Sequence, residues 1–518
     1  MLRVMRNTMG EHVIVLDGSS LEIRDVFDVG YSGAKVKIAE SALEAMTVSR
    51  SAVMRILESD EVVYGINTGF GALSRVTIEH DQLEELQYNL IRSHACGVGE
   101  RMDPEHVLMM MLIRANTLAK GHSGCRPEVT ELLVAMINAR IVPVVPRIGS
   151  LGASGDLAPL SHMALGLIGE GECNVLNNEL WESESAATAL EQAGLAPLVL
   201  QAKEGLSLIN GTSQMCAYLS ICVTNLDHLV LAADASAACS VEAIFGSHAP
   251  FDRRVHNARP QRGQSISAAR ISSLLKGSEI NESHADCERV QDAYSFRCSP
   301  QVHGPVIDLL LETRRMLEIE INSATDNPLI FTDGSNDEVI SGGNFHGQNL
   351  SLAADALALS CHELASISER RINQIMDPQW SKQNAFLSNK EGLESGLMII
   401  QYVAAALIAE LQLLSNPVTT SNVPVSLGKE DHVSMGATST FRTVRSTELL
   451  SQVIANEMIC SAEALGRIDY RAGRGVTRIT DWIRSYIPPL TSDRAMTAEC
   501  EGLSSALLNG DLSTNLGD

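Results

Sequence analysis

A chain of 518 residues with 39 lysines and arginines against 63 aspartates and glutamates carries a formal charge of −24. No basic run offsets it locally, and nucleic acid is excluded as a partner. Hydrophobic residues make up 45% but aromatics only 4%, so the interior is Leu, Ile, Val, Ala and Met, a mixture that favours packed helices over strands. Eleven cysteines from Cys96 to Cys500 form no Cys-x-x-Cys pair and are odd in number, which excludes a disulfide framework or zinc knuckle and predicts a reduced, cytoplasmic chain.

Met1 to Gly18 has two arginines and only a short Val-Ile-Val-Leu run, which does not support a signal peptide. His12 to Leu16 and Ser19 to Ile23, on either side of Asp17-Gly18, predict a small hairpin. Helical spacing over 41–59 then gives way to Val62 to Gly71, where three glycines make a loop. Gly69-x-Gly71 is followed by Ser74 where a dinucleotide fingerprint needs glycine, and no βαβ pattern surrounds it. Asp103-Pro104 and Arg126-Pro127 start helices that stop near Gly121 and Arg140.

From Leu226 onward the pattern predicts long helices over 302–323, 350–374, 396–414 and 438–466, a bundle carrying loops at its ends. Pro328 to Phe331, Asp333-Gly334 and Val339-Ile340 interrupt them as a short hairpin. The expected division is a mixed region over 1–225, the long-helix bundle over 226–490, and a C-terminal helix and tail over 491–518 that frays from Asn509. Leu397 to Ala409, taken as the longest uncharged apolar stretch, contains Gln401, ends at Glu410 and is short of a membrane span. The expectation is a soluble protein with no membrane partner.

Ile148 to Leu160 is the stretch that packing alone does not justify. Its centre is Ala153-Ser154-Gly155, within four small residues after Leu151. A backbone that small can fold until the Gly155 amide nitrogen reaches the Ala153 carbonyl carbon, an approach that a Cβ at 155 would obstruct. Loss of one water closes a five-membered ring, and loss of the Ser154 hydroxyl in a second leaves an exocyclic methylidene, an electrophile built from the chain. A serine nucleophile elbow is excluded, because Asp156 stands where Gly-x-Ser-x-Gly ends in glycine.

The context Gly149 to His162 closely resembles the signature of the aromatic amino acid ammonia-lyases and aminomutases, in which this tripeptide becomes 4-methylidene-imidazol-5-one (MIO). The resemblance runs from about Gly18 to Leu490. It includes Tyr64 to Gly71, Leu90 to Gly99, Leu208 to Thr212, Gln291 to Arg297, Asn322 to Pro328, Gly343 to His346 and Glu430 to Met435. It implies a mainly α, ammonia-lyase/fumarase-like superhelical bundle, an autocatalytic MIO with no metal or external cofactor, and a homotetramer whose active sites combine loops from several subunits.

The resemblance also assigns roles. Tyr64 becomes the base for the β-hydrogen, although a tyrosine in such a loop can equally pack its ring. Arg297 becomes a bidentate clamp on the substrate carboxylate, where the plain alternative is a surface ion pair. Asn210 and Tyr294 lie beside the ring, Gln291 helps bind the substrate, and Phe345 covers the ring. Glu430, with His94 and Met398, resembles the histidine-specific subgroup, in which that glutamate meets an imidazole, and L-histidine would give trans-urocanate and ammonia. A carboxylate facing a phenyl ring would instead be desolvated without a partner. One departure stands out: the family usually has Asn-Gln where Gly428-Lys429 precede Glu430, and Lys429 could pair with it. Two alternatives remain, a tyrosine or phenylalanine lyase or aminomutase on the same fold, and a non-catalytic helical scaffold. The fourteen histidines show no His-Glu-x-x-His or other ligand spacing, so no metal is expected.

Overall fold

The computed structural model describes residues 13–59, 62–69, 76–285, 289–333 and 336–517. His12, Phe70, Gly71, Ser74 and Gly334, on which parts of the reading above fall, lie outside them. The helices Glu40–Glu58, Pro104–Ala119 and Pro127–Ala139 stand where the spacing places them. In the last two, proline occupies the first turn, where no backbone N–H is needed. The long segments form the helices Ser299–Glu320, Gln348–Met376, Met398–Leu414 and Gly436–Leu465.

Ser213–Ala243 is the axis around which they pack. In this helix only Thr224, Asp227 and His228 escape burial, and a helix apolar on every face belongs inside a bundle. The division expected at residues 225/226 falls within it. It and Gln348–Met376 are long and apolar enough to cross a membrane, but 83% and 56% of their most apolar windows are buried inside the structure. They are longer apolar segments than Leu397 to Ala409.

Side-chain bonds fix the helix directions. Thr212 donates to Glu320 at 2.8 Å and His303 pairs with Asp234 at 2.8 Å, so Ser299–Glu320 runs antiparallel to the axis. Asn225 donates to Thr447 at 2.9 Å, and Ser240 and Ser368 both donate to Glu457 at 2.6 Å, so Gln348–Met376 and Gly436–Leu465 run parallel to it. Three long helices therefore start at one end of the bundle. The Glu457 carboxylate also takes Arg371 Nε at 2.5 Å and Nη2 at 2.8 Å, with both side chains fully buried. Such a pair is tolerated in a core because its hydrogen-bonding capacity is filled.

Two expectations are corrected. Asp17-Gly18 makes a turn but no hairpin. The Asp17 carboxylate accepts from Ser19 and Ser20 N–H at 2.7 and 2.8 Å, and a Glu22/Asp25 capping box starts the helix Ile23–Phe27. The strand Val13–Leu16 pairs instead with Lys35–Ile38, in parallel. Nor does the chain fray from Asn509: Asp511–Leu516 is helical and Leu512 is buried. The hairpin after Pro328 is present as Leu329–Thr332 against Asp337–Ile340. Another, Glu172–Asn177 against Leu180–Ser185, went unread. Its turn residues Asn178 and Glu179 have φ of 47° and 69°, the left-handed pair that a tight hairpin requires.

Candidate active site

The Ala153-Ser154-Gly155 loop is pinned on all sides. Ser150 Oγ accepts from Gly152 N–H and reaches the Gly155 carbonyl and Asp156 Oδ1, each at 3.1 Å. Gly155 has φ of 72°, and a Cβ there would collide with the backbone of Gly211. Asp156 N–H donates to the Gly211 carbonyl at 2.7 Å. Ala153 is buried, Ser154 half-buried. A loop of small residues held this tightly fits closure to MIO, because the room a side chain would need at 155 is already filled by chain.

Asp156 is fully buried at the start of the helix Leu157–Leu167. Its Oδ2 accepts the Gln214 and Met215 N–H groups at 2.8 and 3.1 Å. Burial pushes its carboxyl up to about 7, outweighing the bonds from Met215, Ser150 and Gln214 that pull it down. A carboxyl raised in the folded state binds its proton more tightly folded than unfolded, so its contribution to stability falls as pH rises from about 4 to about 7. Asp156→Asn is expected to remove that part of the slope in a plot of thermal midpoint against pH. An unchanged slope would contradict the assignment.

Four helices start at this loop: Leu157–Leu167, Ser213–Ala243, Gln348–Met376 and Gly436–Leu465. The Gly152 carbonyl accepts from Gly347 N–H at 3.1 Å and Ser434 Oγ at 2.9 Å, and the Leu151 carbonyl from Met435 N–H at 2.8 Å. Helix N-termini carry partial positive charge. Their convergence stabilises negative charge developing at the loop and strengthens an electrophile formed there.

Asn210, which is buried, precedes Gly211, and its Nδ2 donates to the Asn327 carbonyl at 3.1 Å. Its Oδ1 has no hydrogen-bond partner among the described residues. Asn327 Oδ1 accepts from Ser341 and Gly342 at 3.2 and 2.7 Å, joining this wall to the segment that carries Phe345. Tyr64 is half-buried, and the next residue, Gly65, packs against Pro328 and Leu206. Residues from four distant stretches of chain thus come to one end of the bundle.

His94 and Glu430 share that end. The His94 Nδ1 lies 2.8 Å from the Leu90 carbonyl. Burial pushes its imidazole below the ordinary value, while that carbonyl and the Glu430 carboxylate pull it back up. Glu430 closes a turn by pairing with Val425, through Val425 N–H to the Glu430 carbonyl at 2.9 Å. Gly428 sits in that turn at φ of 80°. Glycine and asparagine both tolerate the left-handed region, so Gly428 can hold the turn where the resemblance leads one to expect asparagine.

Gln291, Tyr294, Arg297 and Met398 are elsewhere. Tyr294 is 71% exposed, the Arg297 guanidinium lies over its ring at 4.4 Å, and Arg297 Nη2 donates to Gln291 Oε1 at 3.2 Å. Arg371 Nη1 holds their short helix through the Ser295 carbonyl at 3.2 Å. That places them near Glu457 and Ser240, at the far end of Ser213–Ala243. Ser240 stands 27 residues along that helix from Ser213, which at about 1.5 Å each puts about 40 Å of helix axis between the two groups. Met398 starts a helix at the same far end, where Ser395 and Gly396 N–H bond to Asp493 at 2.7 and 3.0 Å. One chain therefore does not bring Arg297, the expected carboxylate clamp, to its own Ala-Ser-Gly loop. Among the described residues no cluster of three His, Cys, Asp or Glu side chains could hold a metal ion.

A family profile described as aromatic amino acid lyase matches residues 21–485. The chain is 43% identical over 500 residues to a histidine ammonia-lyase of Myxococcus xanthus, covering 96% of this chain and 97% of that one. Among solved structures, the histidine ammonia-lyase of Trypanosoma cruzi matches with a TM-score of 0.90 and 38% identity, over 98% of this chain and 95% of that one. Tyrosine aminomutase from Streptomyces globisporus matches with a TM-score of 0.89 and 35% identity, over 97% and 98%.

Proposed function

We propose that this chain, which belongs to the aromatic amino acid lyase family, eliminates ammonia from L-histidine to give trans-urocanate. The observation that carries the choice of substrate is Glu430 acting on His94 at the end of the bundle that holds the Ala153-Ser154-Gly155 loop. The histidine ammonia-lyase of Myxococcus xanthus, similar over nearly the whole chain, supports the same choice. A carboxylate there gives an imidazole N–H an acceptor, whereas a phenyl or phenol ring would leave that carboxylate buried against carbon.

The MIO group, once formed, supplies an electrophilic carbon for the substrate amine. The chain's own side chains do the rest. Arg297 grips the carboxylate with its planar fork, Glu430 orients the imidazole, and Tyr64 Oη takes the β-proton. Asn210 and Tyr294 orient the amine, Gln291, His94 and Met398 line the pocket, and Phe345 excludes water. With L-histidine, L-tyrosine and L-phenylalanine offered in parallel, near-ultraviolet absorbance of the acrylate product is expected to report far faster turnover of L-histidine. Glu430→Gln should slow the reaction and weaken the preference. Faster turnover of L-tyrosine by the unmodified chain would move it to the tyrosine-specific relatives.

The site is assembled from several copies in a homotetramer. Two observations support this. Arg297 sits about 40 Å from the loop along the helix axis within one chain, at about 1.5 Å per residue of helix. The helix Met398–Leu414, although strongly apolar, buries only Ala404 and Leu411 and exposes Ile399, Tyr402 and Leu413. An apolar face of this kind marks an association surface. Co-expression of Ser154→Ala with Arg297→Lys is expected to give activity above that of either variant alone, because mixed assemblies contain sites with both native groups. Sites contained within one chain would show no recovery.

A further inference from the structure

Arg114 lies in a run of buried residues from Val107 to Ala119 and is itself fully buried. Its Nη1 donates to the Asn210 carbonyl at 2.5 Å. Nε and Nη2 have no hydrogen-bond partner among the described residues. The carboxylates whose charge acts on it, Asp326 and Asp156, are committed elsewhere. Asp326 bonds Lys203 Nζ at 2.8 Å and Asn327 N–H at 2.6 Å, and Asp156 takes the Gln214 and Met215 amides. An incompletely bonded charge in a core is costly, so its position calls for a function.

What the guanidinium touches supplies one. A Cβ at Gly211 would run into Arg114 Nη1, so the missing side chain there lets the cation lie against the Asn210-Gly211 peptide. Gly211 in turn faces the ring precursor: a Cβ at Gly155 would meet the Gly211 nitrogen of that peptide as well as the Gly211 carbonyl, Gly155 bridges to Gly211, and Asp156 N–H bonds the Gly211 carbonyl at 2.7 Å. We propose that Arg114 is a positioning residue for ring closure, fixing the Asn210-Gly211 peptide behind Gly155 so that the Gly155 amide nitrogen is held against the Ala153 carbonyl carbon. The inference rests on the reading that the tripeptide cyclises.

Closure forms the bond between Gly155 N and Ala153 C, and the Gly155 amide proton passes to the former carbonyl oxygen. That hydroxyl leaves as water with the proton of the Ser154 nitrogen. Ser154 then loses its α-proton and its hydroxyl as a second water. Nothing is oxidised or reduced and no co-reactant enters. Because the step is intramolecular, its rate follows the approach geometry, and a displacement of about 1 Å can cost about 10²-fold.

The test is the ring content of folded full-length protein, read by intact mass and by the mass of the peptide containing residues 153 to 155. Arg114→Met leaves Asp326 and Asp156 with their other partners and is expected to fold. Its folded fraction should carry the two-water deficit in less than about a tenth of chains after the interval that completes it in the unmodified chain. A purely structural role would lower the yield of folded protein and leave ring content complete, which would overturn the proposal. Arg114→Lys keeps the buried cation and covers the case in which the methionine variant does not fold. In cell-free synthesis its ring should appear at least about tenfold more slowly, and an equal rate would overturn the proposal. An unmodified chain without the deficit would remove the ring reading itself, whereas a full deficit in the unmodified chain and in both variants removes only the role of Arg114.

Discussion

Ser154→Ala is expected to fold and assemble as the unmodified chain does, while its turnover falls by at least about 10³-fold, the scale on which loss of a group acting at the reacting centre is felt. The structure separates the two effects. Ser154 is half-buried on a loop, and the bonds that hold the loop come from Ser150, Ser434 and the backbones of Gly211, Gly347 and Met435. Removing one loop hydroxyl touches none of them, so the thermal midpoint should stay within about 2 °C. The hydroxyl is, however, the group whose departure makes the methylidene carbon. The unmodified chain should weigh two waters less than its sequence, with the deficit confined to residues 153 to 155. Ser154→Ala, with no hydroxyl at that position to leave, should show a deficit of at most one water. Near-normal turnover by that variant, or an unmodified mass in active protein, would rule out the electrophile.

Legibility of the fold followed the range of the forces involved. Pro104 and Pro127 mark helix starts through their own covalent geometry, and both are where the spacing puts them. The strand Val13–Leu16 was legible as a strand but not in its pairing, because Lys35–Ile38 is brought beside it by packing of the intervening chain. The local Asp-Gly turn was put to another use by the Asp17 side chain. The candidate site divides in the same way. The Ala-Ser-Gly loop shows itself as a run of small residues that no core would select, and Glu430 and His94 do share one end of the bundle with it. That Tyr294 and Arg297 stand at the other end depends on the directions of the long helices, which side-chain spacing does not encode. Arg114 left one signal that could have been read: the one cation in the run from Val107 to Ala119, whose only other polar residues are Asn116 and Thr117.

Tyr64→Phe is expected to lower kcat by about 10² to 10⁴, the usual worth of a positioned general base, with little change in KM and with the two-water deficit intact. The loop that carries Tyr64 is tied to itself, through Val63 N–H to Asn67 Oδ1 at 2.8 Å and Gly65 N–H to Thr68 Oγ1 at 3.2 Å. Gly65 packs directly on Pro328 and Leu206. Phenylalanine keeps the ring and these contacts, so only the phenolic oxygen is lost. Arg297→Lys gives the contrasting pattern, with KM raised as well as kcat lowered, because lysine cannot reproduce the two parallel bonds of the guanidinium fork. If Tyr64→Phe kept its turnover, the β-proton would have to pass to another group, and the tyrosine would be a packing residue of its loop.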